Sequence, residues 1–356
     1  MFLALRDLRH AKGRFALIGS VVALITVLVG FLSGLTMGLA EQNVSAITAI
    51  SADRMVFSLS TDGEPTNYAD SAVSRADARQ WTDQPGVTRV QPLGISQGRL
   101  LAGDGRAAVA VFGTDTPVGT EAASRRGQVS VPSTIADDLG GVNTGDTVTI
   151  AGREFTAQVT TDDAWYSHLA VVRVTLADWQ SLQSGGESAP YATVLAVSAT
   201  GTDFAAADAE TATSSAGILQ SLASLGSFRS EIGSLLLMVA MLFGISALVV
   251  GAFFSVWAVQ RQPDVAVLKA LGASNRMLIA DALGQAAILL ALGVGIGIGL
   301  TALLGTLAGA ALPFVLSPLT TLVPALLMIL LGLAGAAFAL RSVTQADPLT
   351  ALGSNR

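Results

Sequence analysis

The sequence predicts a membrane α-helical protein with four transmembrane helices and an α+β extracellular domain inserted between helices 1 and 2. Of its 356 residues, 51% are hydrophobic and only 13% are charged, against about 25% charged residues in soluble domains. Three runs of 26, 28 and 59 residues contain no charge. Since about 20 apolar residues cross a bilayer, these runs have room for four spans. A polar region with strand-like alternation separates the first run from the second.

The charges are divided unevenly, and this predicts the orientation. Residues 41–231 hold 22 acids and 11 arginines, a net charge of −11, whereas the rest of the chain holds 9 Lys and Arg and 4 Asp, a net charge of +5. Basic residues that flank spans stay in the cytoplasm. We therefore expect both termini to be cytoplasmic and the acidic domain to lie outside.

The predicted organisation follows from these runs. In chain order it is a cytoplasmic elbow helix at 1–14, span 1 at 15–40, the extracellular domain at 41–230, span 2 at 231–259, a cytoplasmic segment at 260–281, span 3 at 282–308, an outside turn at 309–321, span 4 at 322–340 and a cytoplasmic tail at 341–356. A signal peptide is the alternative for the N-terminus, because Gly38, Leu39 and Ala40 resemble a cleavage site. The 26-residue apolar run, however, exceeds the 7–15 residues of a signal peptide's apolar region.

Span 1 carries Gly30, Gly34 and Gly38 at four-residue spacing. In lipid, helices associate by close packing of small residues rather than by a hydrophobic drive. The ridge therefore predicts close helix packing, which we assign to a dimer interface. The alternative is chance, since the chain has 37 glycines.

The extracellular domain alternates strands and short helices. The predicted strands cover residues 55–61, 87–94, 97–102, 107–113, 128–132, 146–150, 154–160, 171–174 and 192–197. Two predicted helices, at 69–80 and 176–183, lie between strands. A third helix begins near Ser133 and ends at Gly140, and an alanine-rich helix is expected over 203–225. His168, the domain's single histidine, is interpreted as solvated or structural, and no catalytic set emerges.

Span 2 is predicted to be longer than the membrane is thick. A helix of 28 residues measures about 42 Å, against a hydrocarbon core of about 30 Å. The segment after it has Val265, Leu268 and Leu271 on one stripe and a glycine stop at Gly272, which predicts a small amphipathic helix.

Two kinds of chemistry are excluded by residue types. The chain has no cysteine, so it has neither disulfides nor thiolate metal sites. A phosphate-binding P-loop needs Gly-Lys-Ser or Gly-Lys-Thr, but Lys12 follows Ala11 and Lys269 follows Leu268. The chain is therefore not an ATPase of that kind, and we expect no enzyme activity of its own and no nucleic-acid partner.

Three motifs resemble the MacB/FtsX-like permeases of ABC transporters. They are Leu5-Arg6-Asp7-Leu8 with Lys12 and Arg14, the segment from Arg261 to Ser274, and the ending Asp347-Pro348-Leu349-Thr350-Ala351-Leu352. They stand in the family's order around a first-loop ectodomain. Pro263-Asp264 departs from the family's more usual charged residue and Glu.

The resemblance implies a homodimer in the lipid of the bacterial cell membrane, bound to two copies of a separate ATPase subunit that binds the ATP. The residues it assigns to ATPase coupling are Arg261, Asp264, Val265, Leu268, Lys269 and Leu271. Nucleotide-driven closure would bring the second helices together and transmit motion to the ectodomain. Cargo would enter sideways from the membrane or from outside.

Within the family, the single modest ectodomain and the run from Trp165 to His168 most resemble the haem exporters. Haem is then the cargo and not a permanent cofactor, its iron needs axial ligands, and its porphyrin needs an apolar slot. The candidate haem-binding residues are Glu231, Met238, Met241, Met37, Glu41 and Arg229, with Glu231 or Met241 on the iron. Glu231, Met238 and Met241 fall within about 80° on one helix face. The alternative makes Glu231 and Arg229 interfacial and the methionines core.

Other functions remain open at this point. The cargo could instead be an antimicrobial peptide, a macrolide or a lipid-like molecule. An FtsX-like permease could activate a cell-wall hydrolase without transporting anything. A membrane-anchored binding or sensor protein is the third possibility, and a neighbouring ATPase gene would argue against it.

Overall fold

The computed structural model describes residues 12–116, 125–183, 190–260, 267, 272–309 and 312–344. The chain divides into two compact units, which we call the ectodomain unit, Leu39–Gly233, and the membrane unit, Met1–Gly38 with Ser234–Arg356. The sequence predicts the ectodomain at 41–230.

Helices and strands alternate through the described residues. The helices are α1 (Lys12–Thr48), α2 (Arg75–Thr82), α3 (Ser133–Asp138), α4 (Leu176–Leu182), α5 (Phe204–Thr211), α6 (Ile218–Ser221), α7 (Gly226–Gln260), α8 (Asn275–Ala308) and α9 (Pro318–Thr344). The strands are β1 (Arg54–Ser58), β2 (Val87–Ala102), β3 (Gly105–Gly113), β4 (Gln128–Pro132), β5 (Thr147–Ile150), β6 (Arg153–Thr160), β7 (Trp165–Tyr166), β8 (Leu169–Val174), β9 (Val194–Ala199) and β10 (Thr213–Gly217).

Four of these helices, α1, α7, α8 and α9, are long and apolar enough to cross a membrane. Together with the mixed domain between α1 and α7, they confirm the predicted fold class. The helices extend beyond the predicted spans. In particular, α1 continues eight residues past the predicted end at Ala40. The extension is polar on one side, but its other side is buried through Val44 and Ile47, and tertiary packing rather than membrane burial supports it.

The ectodomain unit is built on a sheet that closes on itself. Its strand order is β10-β1-β9-β2-β3-β8-β4-β6-β5, and β2 also pairs with β5. Strands β2, β3, β8, β4, β6 and β5 therefore form a six-stranded ring, which has no free edge to pair with another chain. Strands β3 with β8 and β4 with β6 are parallel, and the other pairs are antiparallel.

One buried cluster fills this ring and another lies beside it. The first includes Leu100, Val111 and Val172. The second contains the end of α1, through Val44 and Ile47, together with residues of β1, β3 and β9. The C-terminal end of α1 and the sheet therefore pack into the same core.

Two predicted ectodomain elements were wrong. The stretch 203–225 is not one helix but α5, β10, α6 and a short 3-10 helix, because a left-handed residue, Ala212 at φ 51°, ends α5. The threonine and serines that follow favour the extended strand β10, which pairs with β1. Strand β2 is continuous where two strands were predicted, since Gly94 stays in the ladder opposite Gly113. At both glycines a Cβ would meet the Trp179 ring.

In the membrane unit the glycine ridge of span 1 packs against its own chain. A Cβ on Gly30 would lie 3.0 Å from Thr301 on α8, one on Gly34 would overlap the Phe314 ring, and one on Gly38 would overlap the Pro313 carbonyl. The close packing predicted for the ridge is present. The assignment of these glycines to a dimer interface is corrected, because a second copy cannot occupy a face that α8 and the 313–314 segment already cover.

Substitution of two glycines of α8 tests the packing of this helix against α1. A Cβ on Gly297 would lie 2.8 Å from the Ala23 carbonyl oxygen, whereas one on Gly299 would meet nothing within 4 Å. We expect Gly297→Ala to lower the stability of the membrane unit by about 1–3 kcal/mol through overpacking. Gly299→Ala, which adds the same methyl group, should be neutral or stabilising, because alanine is the better helix former. Thermal unfolding of the two purified variants measures the difference, and equal midpoints would contradict the packing.

Candidate functional site

A tight hairpin brings His168 to the end of α1. Strands β7 and β8 pair through a two-residue turn, Ser167 and His168. Both residues have left-handed backbones, with φ of 51° and 63°. Residues other than glycine, asparagine or aspartate seldom adopt this geometry, since it costs on the order of 1–3 kcal/mol each. The surrounding contacts therefore have to hold the turn in place.

Backbone hydrogen bonds to α1 supply that hold. The Ser167 N–H donates to the Asn43 carbonyl at 2.9 Å, and the His168 N–H donates to the Gln42 carbonyl at 3.0 Å. These carbonyls lie in the part of α1 that extends beyond the predicted span. The helix extension and the strained turn thus stabilise each other.

Three polar side chains, from α1, the hairpin and α7, meet at this point. The His168 Nε2 lies 2.7 Å from Glu231 Oε2, and the Asn43 Nδ2 lies 3.3 Å from the same oxygen. Because a carboxylate only accepts hydrogen bonds, His168 donates through Nε2–H and Asn43 donates through its amide. Asn43 is buried, whereas the side chains of His168 and Glu231 are 36% and 29% exposed. We call this group the Asn43–His168–Glu231 cluster.

The cluster rests on a layer of aromatic rings. Tyr166, next to the turn, packs edge-on against Phe112 at 5.5 Å and against Tyr68 at 6.2 Å. The Tyr68 hydroxyl lies 2.8 Å from the Ser221 hydroxyl on α6. The hairpin is therefore anchored in the core of the ectodomain unit.

Burial raises the pKa of Tyr68 and of Tyr166 well above the ordinary value of 10.0, and the Ser221 hydrogen bond lowers that of Tyr68 by a smaller amount. The folded ectodomain therefore keeps these protons where the unfolded chain loses them, and its stability should fall as the pH rises above about 10. Tyrosinate absorbance should report both residues ionising together with loss of circular dichroism. In Tyr68→Phe the late absorbance change should be smaller by one tyrosine. Ionisation of both residues near pH 10 in a folded protein would contradict the packing.

The other predicted haem-binding residues have different environments. Met238 and Met241 on α7 are 55% and 60% exposed in the membrane unit. Met37 is half-buried in α1, and Glu41 and Arg229 are exposed. The assignment of these residues to haem binding stays a prediction.

Sequence reasoning missed both partners of Glu231. The sequence predicts a solvated or structural role for His168, although the run from Trp165 to His168 carries part of the family resemblance. Strand β7 has two residues, too few for an alternating pattern to show. Asn43 gave no signal, because it lies beyond the predicted end of span 1. Among the described residues no group of three His, Asp or Glu is arranged to hold a metal ion.

The predicted ATPase-coupling residues Arg261, Asp264, Val265, Leu268, Lys269 and Leu271 lie outside the described residues. Of the flanking positions, Val267 is exposed and Gly272 has a φ of 95°. That conformation suits the predicted glycine stop of a helix. The Ser274 side chain then accepts a hydrogen bond from the Met277 N–H and begins α8.

Comparison with known proteins agrees with the resemblance seen in the motifs. Residues 236–348 match the FtsX-like permease C-terminal family. The chain is 24% identical to a putative hemin transport system permease protein HrtB of Staphylococcus haemolyticus (strain JCSC1435), over 99% of both chains. It is 23% identical to an uncharacterized ABC transporter permease of Mycobacterium tuberculosis (strain ATCC 25618 / H37Rv), again over 99% of both.

Among solved structures, the periplasmic region of MacB from Actinobacillus actinomycetemcomitans matches with 13% identity and a TM-score of 0.36, over 49% of this chain and 93% of that chain. The family match covers α7 from Leu236 together with α8 and α9, and the two relatives extend the similarity through α1 and the ectodomain. The chain is therefore similar over its full length to ABC transporter permeases, its C-terminal part matches the FtsX-like permease model, and its four long apolar helices agree with a multi-pass membrane protein.

Proposed function

We propose that the chain is the membrane subunit of an ATP-driven exporter of haem, taken laterally from the membrane. The observation that carries the proposal is the position of Glu231. Its half-buried carboxylate lies in the first two turns of α7, on the helix that continues as an apolar span. A charged group beside a span is costly and therefore marks a functional position.

The chemistry of this helix suits haem. Ferric iron accepts an oxygen or thioether ligand, and Glu231 or Met241 supplies one. The exposed side chains of Met238 and Met241 offer apolar, adaptable surface to a porphyrin. The relatives named as hemin transport permeases support the same cargo.

Energy has to come from another chain, since this one lacks a P-loop lysine. In the proposed assembly two copies of the permease bind two copies of an ATPase through residues 260–274. The face of α7 at Leu237, Met241 and Leu248 is more than half exposed in the membrane unit. We assign the homodimer contact to this face instead of the glycine ridge, because the ridge is covered within the chain.

Co-purification with the candidate ATPase followed by haemin titration tests the proposal. The complex should show a Soret band that saturates with haemin, and its ATPase rate should rise with haemin. A complex that forms but neither binds haemin nor responds to it would contradict haem as the cargo while leaving the permease assignment intact.

A further inference from the structure

We infer that Asn43 and His168 form a latch on Glu231 that haem iron has to open, so that the base of the ectodomain senses cargo. This inference rests on the proposed function, since it requires haem to compete for Glu231. It adds a regulatory role for two residues, Asn43 and His168, outside the predicted haem-binding set.

The hairpin is bonded to α1 and to α7 by different kinds of hydrogen bond. The hairpin is fastened to α1 by two backbone hydrogen bonds, from Ser167 and His168, which do not involve the imidazole. The described hydrogen bonds from the hairpin and α1 to Glu231 of α7 run instead through side chains, at 2.7 and 3.3 Å. Side-chain bonds to a partly exposed carboxylate can be exchanged without unfolding the backbone. The Glu231 side chain can therefore be released while the hairpin stays on α1.

The exchange is chemically simple. Both donors use one oxygen, Oε2 of Glu231. When that oxygen donates a lone pair to ferric haem iron, the hydrogen bonds from His168 and Asn43 break. His168 keeps its Nε2 proton, so no proton is transferred and no redox partner is needed. The iron replaces the lost donors as the positive partner of the carboxylate.

Helix α7 connects Glu231 to the predicted cytoplasmic coupling segment, so the release of Glu231 can affect that segment. Helix α7 is continuous from Gly226 to Gln260, and Gln260 begins the predicted coupling segment. A change at the first turns of the helix can therefore bias its far end, as an equilibrium between a latched and a released state. Haem shifts that equilibrium because it binds the released state, and the ATPase responds to loaded cargo.

The variant His168→Ala removes the latch and keeps Glu231 as a ligand. Hydrogen bonds to a charged group are strong enough for a shift of about tenfold. We expect the haemin dissociation constant of the complex to fall about tenfold and its basal ATPase rate to rise to the haemin-stimulated rate of the unmodified complex. His168→Gln is the matched control, because its amide can still donate to Glu231, and it should behave like the unmodified complex. Thermal midpoints confirm that both variants are folded.

The outcomes separate the two proposals. If haemin binds the unmodified complex but His168→Ala changes neither affinity nor basal ATPase rate, the latch is overturned and the proposed function stands. Weaker haemin binding in His168→Ala would also overturn the latch, because His168 would then hold the cargo. If no variant binds haemin, the proposed function fails and the latch fails with it.

Discussion

In the variant Leu268→Asp, the permease should no longer stimulate the ATPase, so that the rate of ATP hydrolysis equals that of the isolated ATPase. In the sequence, Leu268 is the middle residue of the predicted apolar stripe of the coupling segment, and a carboxylate that replaced it in a docking interface would lack a partner. Such a charge costs several kcal/mol, enough to prevent docking. The measurement compares ATP hydrolysis by the ATPase with and without the permease in detergent.

Val267→Asp is the control for this variant. It introduces the same charge at the neighbouring residue, which is off the stripe and 61% exposed, and it should keep stimulation near that of the unmodified permease. Normal stimulation in Leu268→Asp would remove residues 260–274 from the docking role.

Glu231→Ala should abolish the haemin Soret band of the purified complex or weaken haemin binding at least tenfold. The variant removes the proposed oxygen ligand, and Met241→Ala removes the alternative thioether ligand. Glu231→Gln refines the test, since its amide oxygen still accepts a hydrogen bond from His168 but is a poor ligand for iron. Haemin titration followed by absorbance gives the affinities.

Two substitutions of the same chemical kind serve as controls. Glu210 on α5 and Met277 on α8 are exposed and lie outside the predicted haem-binding set, so Glu210→Ala and Met277→Ala should leave the Soret band unchanged. An unchanged spectrum in both Glu231→Ala and Met241→Ala would reject these two residues as iron ligands.

The membrane helices were predictable because hydropathy and length determine them directly. Their ends were not: α1 runs on to Thr48 because residues such as Ile47 are buried in the ectodomain core, a tertiary effect that a hydropathy pattern does not contain. The glycine ridge shows the same limit. Its spacing predicts close packing, but whether the neighbour belongs to the same chain is settled by where Phe314 folds back, with the Val315 N–H donating to the Gly34 carbonyl at 3.1 Å.

The candidate site was predictable in one residue of three. Glu231 stands out as an acid beside an apolar run. His168 is 63 residues away in the chain and Asn43 is 188 residues away, and their meeting depends on the β7–β8 turn. That turn uses Ser167 and His168 where glycine or asparagine would have signalled it, so no local pattern predicts the cluster.

The most direct test of the account is haem movement by the complete complex. Permease and ATPase are reconstituted together in lipid vesicles loaded with haemin, and a haem-accepting apoprotein is added on the extracytoplasmic side. The account predicts that ATP, but not a non-hydrolysable analogue, speeds transfer of haem to the acceptor, and that Leu268→Asp abolishes this effect. Haem transfer at the same rate with and without ATP hydrolysis, in vesicles whose ATPase is active and stimulated by the permease, would contradict it.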